Sequence, residues 1–165
     1  MFRAIGDRRG NAFATYNLGM IASRSGDHER ARRFYRESLA LRQDSHDQWG
    51  IAASLVQLGA ESRSLGQLQE SRALFLKAMR IAWDSSVTPV VLDALTGLAS
   101  VLIDEGNVPD AEAILDAVSA HPAIHGQLQA QIDELSVVAA GRRDVSLDRG
   151  AVETVNAITR RLLET

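Results

Sequence analysis

GDRRGNAFATYNLGMIASRSGDHERARRFYRESLAL (residues 6–41) and HDQWGIAASLVQLGAESRSLGQLQESRALFLKAMRI (residues 46–81) align without a gap at an offset of forty residues. Asp7 falls on Asp47, Gly10 on Gly50, Leu18-Gly19 on Leu58-Gly59 and Gly26 on Gly66. Further along, Arg32 falls on Arg72, Tyr35 on Phe75 and Leu41 on Ile81. A third copy follows with more drift: Leu98-Ala99 stands for Leu-Gly, Gly106 keeps the turn, and Ala111 and Leu115 keep the second half. A fixed period of this size marks a chain built of stacked supersecondary units.

Each copy reads as a helical hairpin. The first helix of copy one is expected from Arg8 to Arg24, with Ala12, Thr15, Leu18, Gly19 and Ala22 on one stripe at helical spacing. Gly26 stops it, because glycine takes the left-handed C′ conformation without a Cβ penalty. Asp27 then caps a second helix, its carboxylate accepting orphan backbone N–H groups. That helix runs to Asp44 and buries Ala31, one of Phe34 and Tyr35, Ser38, Leu39 and Leu41. Copy two stops at Gly66 with Gln67 as a weaker cap. Copy three uses Gly106-Asn107 as stop and cap, with Pro109 in the first turn where its missing N–H does no harm. Gly19, Gly59 and Ala99 are small where a helix partner approaches closely.

One hairpin cannot bury its own apolar face, so neighbours stack and share a core. The expected fold is all-α: a right-handed superhelical solenoid of antiparallel helix pairs, first helices lining a concave face, closed by C-terminal capping helices. The repeats span residues 6–45, 46–85 and, degenerate, 86–120. Residues 1–5 align with the tail of a preceding second helix, so the chain is expected to begin inside a repeat, with residues 6–10 as a hinge and a longer parent protein upstream. Residues 121–165 form the cap: one longer helix from His121, a polar turn over residues 142–150, and a last amphipathic helix from Ala151.

Composition agrees with this reading. At 165 residues, 45% hydrophobic and 24% charged, the chain can bury a core and is not a disordered tail. Three prolines and abundant Ala, Leu, Arg and Glu favour helix. The absence of cysteine excludes disulfides, thiolate metal sites and a cysteine nucleophile. No apolar run suits a signal peptide or a membrane span, so a cytoplasmic protein is expected. The net charge of −3 is unevenly split. Residues 1–80 hold 13 Lys/Arg against 8 Asp/Glu, a balance of +5, and residues 81–165 hold 5 against 13, a balance of −8.

The chemical motifs are weak. The glycines of residues 6–10 lack the Lys-Ser/Thr ending of a phosphate-binding loop and do not follow a strand. His121 and His125 have a zinc-helix spacing but no third ligand, and no metal or cofactor is expected. Ser45-His46-Asp47 is consecutive, whereas a catalytic triad must converge in space. Asp104-Glu105 lies beside a turn, where solvation explains it. Arg30, Arg32, Arg33 and Arg36, with Arg8, Arg9 and Arg42, form a basic band, yet no recognition-helix motif accompanies it and the acidic second half repels nucleic acid. No catalytic residue is assigned.

Leu-Gly, then Gly-Asp seven residues later, then alanine and an aromatic at fixed intervals resemble the tetratricopeptide repeat. The forty-residue spacing is similar to the long-helix variety, above all the C-terminal arrays of large bacterial regulators, where a nucleotide-binding switch domain (STAND-type ATPase) precedes the repeats. The resemblance covers residues 6–120 and implies a non-catalytic sensor or scaffold that binds a protein or peptide in its concave groove. On that analogy the contacting positions are Phe13, Tyr16, Asn17 and Met20 in copy one. Copy two supplies Ala53, Val56, Gln57, Ala60 and Arg63, and copy three Asp93, Thr96, Ser100 and Asp104. Chaperone-binding members share a Lys/Asn clamp for a C-terminal carboxylate; Tyr16 and Met20 stand where that clamp begins. Phe13, Tyr16 and Met20 instead suit a helix or extended peptide, or are core bared at a solenoid end. The alternatives are self-association through the repeat ends and a small-ligand-sensing helical domain.

Overall fold

A computed structural model describes residues 2–142 and 155–164, with side chains from residue 8 onward within those spans. Among the described residues there are eight helices and no strand. They are α1 (Phe2–Arg24), α2 (His28–Asp44), α3 (Gln48–Ser64), α4 (Leu68–Asp84), α5 (Thr88–Asp104), α6 (Val108–Ser119), α7 (Gly126–Gly141) and α8 (Val155–Leu163). From α2 to α5 every helix has 17 residues and every turn has three. The forty-residue period is therefore two equal arms, each helix about 25 Å long at 1.5 Å per residue. Equal arms let antiparallel neighbours lie flush, and the product is an all-α solenoid of helix pairs.

All five turns have one design. The residue after the C-cap is left-handed at Gly26 (φ 77°) and Gly66 (φ 74°), where glycine removes the Cβ penalty. The turns between hairpins place His46 (φ 54°) and Ser86 (φ 57°) in the same conformation. In the fifth turn Gly106 (φ 83°) is left-handed again, and throughout the following N–H returns to a carbonyl inside the helix: Asp27 to Ala22, Asp47 to Arg42, Gln67 to Ser62, Val87 to Ala82 and Asn107 to Leu102. Asp27 caps α2 by accepting the Arg30 N–H, and Asp47 caps α3 by accepting that of Gly50. Gln67 makes no side-chain cap. Nor does Asn107, expected to cap α6: its amide donates to Asp110 instead.

The N-terminus departs from the expected boundary. No hinge interrupts residues 6–10, because α1 runs unbroken from Phe2 to Arg24. An isolated glycine costs a helix about 1 kcal/mol, too little to end it among helix-favouring neighbours. The cap also differs. Residues 121–125 form a turn, so the long helix starts at Gly126 rather than near His121. The polar turn expected at residues 142–150 and the first residues of the last helix lie almost wholly outside the described residues. α6 is five residues shorter than α2 and α4, and α8 packs against both α6 and α4. Arg80 of α4 donates to the Leu163 carbonyl at 2.7 Å, and Val155, Ile158 and Thr159 are buried there.

Size pairing between helices sets the core. Tyr35, Phe75 and Leu115 occupy one repeat position, and all three are buried. The Tyr35 ring lies against Gly19, where an added Cβ would come within 2.6 Å; Phe75 lies against Gly59, where it would come within 2.9 Å. The glycine notches thus hold an aromatic ring, not a helix backbone. Copy three has Leu115 in place of the ring and Ala99 in place of the glycine, a smaller knob against a shallower hole. Of the stripe expected in α1, Ala12, Thr15, Gly19 and Ala22 are buried but Leu18 is 46% exposed. Its counterparts Leu58 and Leu98 are buried, each on a first helix that packs against the second helix of the repeat before it.

Candidate functional site

The first helices α3, α5 and α7 lie side by side and enclose a groove of about 380 Å³. Val56, Gln57, Ala60 and Arg63 line its α3 wall. Asp93, Gly97 and Ser100 come from α5, and Gln127, Leu128 and Gln131 from α7. Phe75 of α4 reaches the floor from behind, because Gly97 has no side chain to cover it. A methyl group at position 97 would run into the Phe75 ring. The result is an apolar floor of Phe75, Val56 and Leu128, rimmed by three amides and two charged groups.

Those two charges are not equivalent. The Arg63 Nε donates to Asp104 Oδ2 at 2.6 Å, so its charge is matched. Asp93 makes no ion pair and no hydrogen bond from its side chain to any described residue. Burial pushes its carboxyl above the usual carboxylate range, with nearby His125 pulling the other way. His125 uses Nδ1 to cap α7, accepting the Leu128 N–H at 3.4 Å.

Of the contact positions expected from sequence, Val56, Gln57, Ala60, Arg63, Asp93 and Ser100 stand together on this groove. Thr96 does not. It is fully buried, its hydroxyl donating to the Leu92 carbonyl. Ser100 is nearly buried and donates to the Gly97 carbonyl. Ala53 is half-buried outside the groove lining, and Asp104 is held between Arg63 and Arg142. In copy one, Tyr16, Asn17 and Met20 are half-buried and Phe13 is 61% exposed. Tyr16 crosses Tyr35 edge to face at 5.4 Å, and its hydroxyl is hydrogen-bonded with the Gln57 side chain. Burial raises the affinity of that hydroxyl for its proton, with Arg42 and Gln57 opposing and Asp93 adding to the rise. Tyr16 and Gln57 therefore bridge α1 and α3 at one end of the groove, with the Asp93 charge of α5 nearby. Gly97 and His125 were missed as groove residues: Gly97 stands at the repeat position of Asn17 and Gln57, where the pattern could have found it, whereas His125 lies beyond the three repeats.

The basic band is largely consumed by structure. Arg32 is buried, donating to Gln67 at 2.7 Å and to both Glu70 oxygens at 3.0 and 3.3 Å. Arg42 is buried, donates to the Gly50 carbonyl at 2.7 Å and stacks over Tyr16 and Trp49. Arg30 lies over Phe34, and Arg36 reaches Glu70. Asp104-Glu105 is likewise explained by pairing rather than solvation alone: Asp104 meets Arg63 and Arg142, and Glu105 meets Arg72. Ser45 bonds the Arg42 carbonyl while Asp47 caps α3, so Ser45-His46-Asp47 is a turn. His121 and His125 sit in and after a turn, not on one helix face. Among the described residues no cluster of His, Cys, Asp or Glu is placed to hold a metal ion. None of their helices is long and apolar enough to cross a membrane.

Two family models, both described as tetratricopeptide repeat, match residues 10–84 and 92–117, together more than half of the chain. The chain belongs to the tetratricopeptide repeat family. Comparison with curated proteins found no match, and neither did comparison with solved structures. Tetratricopeptide repeats form protein–protein interaction or scaffold modules and are typically non-enzymatic.

Proposed function

We propose that the groove between α3, α5 and α7 is the recognition site of this tetratricopeptide module and takes a peptide segment of a partner protein. The observation that carries the reading is the lining itself. An apolar floor of Phe75, Val56 and Leu128 supplies the area, and the amides of Gln57, Gln127 and Gln131 pair with a peptide backbone. Tyr16 and Met20 extend the apolar surface toward α1 and lengthen the track available to a ligand. Panning a random-peptide phage library on the purified protein tests this, with Ala60→Arg as the blocked control. Ala60 is exposed on the groove, so the variant keeps its melting temperature. Selected peptides are expected to bind the variant at least about tenfold more weakly. Equal binding to both proteins, or no enrichment, refutes the reading.

The module's context is read from the resemblance of its repeat pattern to those of bacterial regulators: a sensor or scaffold segment of a larger cytoplasmic signalling or transcriptional protein. The parent reading frame tests this, since a switch domain ahead of the repeats is required. A second reading, self-association, draws on exposed apolar side chains at both ends: Leu18 and Ile21 on α1, and Val137 and Val138 on α7. Light scattering that reports a monomer at every concentration and salt level removes it.

A further inference from the structure

The groove carries a charge that the fold does not use. Among its lining residues Arg63 is paired with Asp104, whereas the Asp93 carboxylate makes no ion pair or hydrogen bond with any described residue and has His125 nearby. Burying a carboxylate without a partner is costly, and a fold that needed only packing at this position would do better with an apolar residue. Around Asp93 the groove supplies what a long cationic side chain needs. The Phe75 ring, bared by Gly97, accommodates a methylene stem, and the Gln57 amide oxygen can accept an N–H beside the carboxylate.

We propose that the groove is anchored by one lysine or arginine side chain of the partner peptide, its stem over Phe75 and its charged head on Asp93. This deepens the peptide-binding reading and rests on it. The sign is opposite to that of a clamp for a terminal carboxylate: the one unmatched charge in the groove is negative, so an acidic anchor has no partner there. A half-buried carboxylate gains more from an incoming cation than one on the open surface, because part of the desolvation cost has been met in folding.

The test is parallel panning of a random-peptide library on the wild-type protein and on Asp93→Asn, which is nearly isosteric and is checked by thermal melting. Wild-type pools are expected to converge on Lys or Arg at one position, and Asp93→Asn pools to lose that preference. The best peptide is then resynthesised with citrulline or norleucine at the anchor. On the wild type it should weaken at least about tenfold, and on Asp93→Asn hardly at all, so that the two changes are coupled. Pools that enrich peptides without a basic anchor, or with an acidic one, overturn the proposal and leave peptide recognition standing. Failure to enrich any peptide refutes both. Tight binding of N-acetyl-arginine amide alone, equal to that of the peptide, would assign the pocket to a small ligand instead.

Discussion

α1 and α5 occupy the same place in the first and third repeats, yet α1 leaves much of its surface exposed while α5 is buried along most of its length. Leu98, Val101 and Ala94 of α5 are buried between α4 and the hairpins on either side. Their counterparts Leu18, Ile21 and Ala14 of α1 are exposed. The sequence pattern is shared, but burial comes from the neighbour. A repeat position becomes core only when the preceding second helix covers it, so periodicity specifies a face and the stack specifies its use.

That contrast can be broken most forcefully at the repeated leucine. Leu98→Ala should cost about 3 kcal/mol by opening a cavity in the centre, and Leu58→Ala nearly as much. Leu18→Ala should cost less than about 0.5 kcal/mol. Urea unfolding of the three variants measures the series. A large loss for Leu18→Ala would show that another surface covers α1 in solution. The notches come next. Gly97→Ala adds helix propensity worth about 1 kcal/mol but drives a methyl into a ring already seated against Gly59, for a net loss of about 2 kcal/mol. Gly59→Ala, with a milder approach to the same ring, should lose about half as much. Arg42→Met keeps the stem and removes the bond to the Gly50 carbonyl, with an expected cost of about 1.5 kcal/mol.

The smallest effect has the opposite sign. Asp93 is raised by burial, so the folded chain binds its proton more tightly than the unfolded chain does. Its contribution to stability is therefore greatest in acid and declines as pH rises through the folded value. At pH 7 Asp93→Asn should melt about 1–2 °C higher than the wild type, and the gap should close as the buffer is acidified below the carboxylate range. A gap that is constant with pH would mean that shape, not charge, sets the difference.

Much of the scaffold was legible because its signals are local. Gly26, Gly66 and Gly106 mark turns by backbone chemistry alone, and Asp27 marks a helix start. The equal turns at His46 and Ser86 were harder to see, since the left-handed residue there is not glycine. Expected contact positions on α3 and α5 gather on one groove, while Thr96 turns inward to its own helix. Illegible features depend on partners far along the chain. Arg32 and Arg42 look like surface cations until Glu70 and the Gly50 carbonyl come to meet them. Gly97 looks like an unremarkable small residue until Phe75, from the previous hairpin, occupies the space beside it. Likewise His125 joins the groove only because α7 begins later than the histidine spacing suggested.

Between the three repeats the ion pairs run one way. Arg32 pairs with Glu70, Arg63 with Asp104 and Arg72 with Glu105, the cation on the earlier hairpin and the anion on the later, and only at the cap does Arg142 reach back to Asp104. Partly exposed pairs of this kind add little stability, but they give the stack an arrow. If the second hairpin were placed ahead of the first, Arg63 would meet Arg24, which holds the place of Asp104, and Arg72 would meet Ser25. The apolar stripes of the hairpins are nearly interchangeable, whereas their charges are not. The charges thus mark which hairpin follows which, a distinction that the apolar stripes alone do not carry.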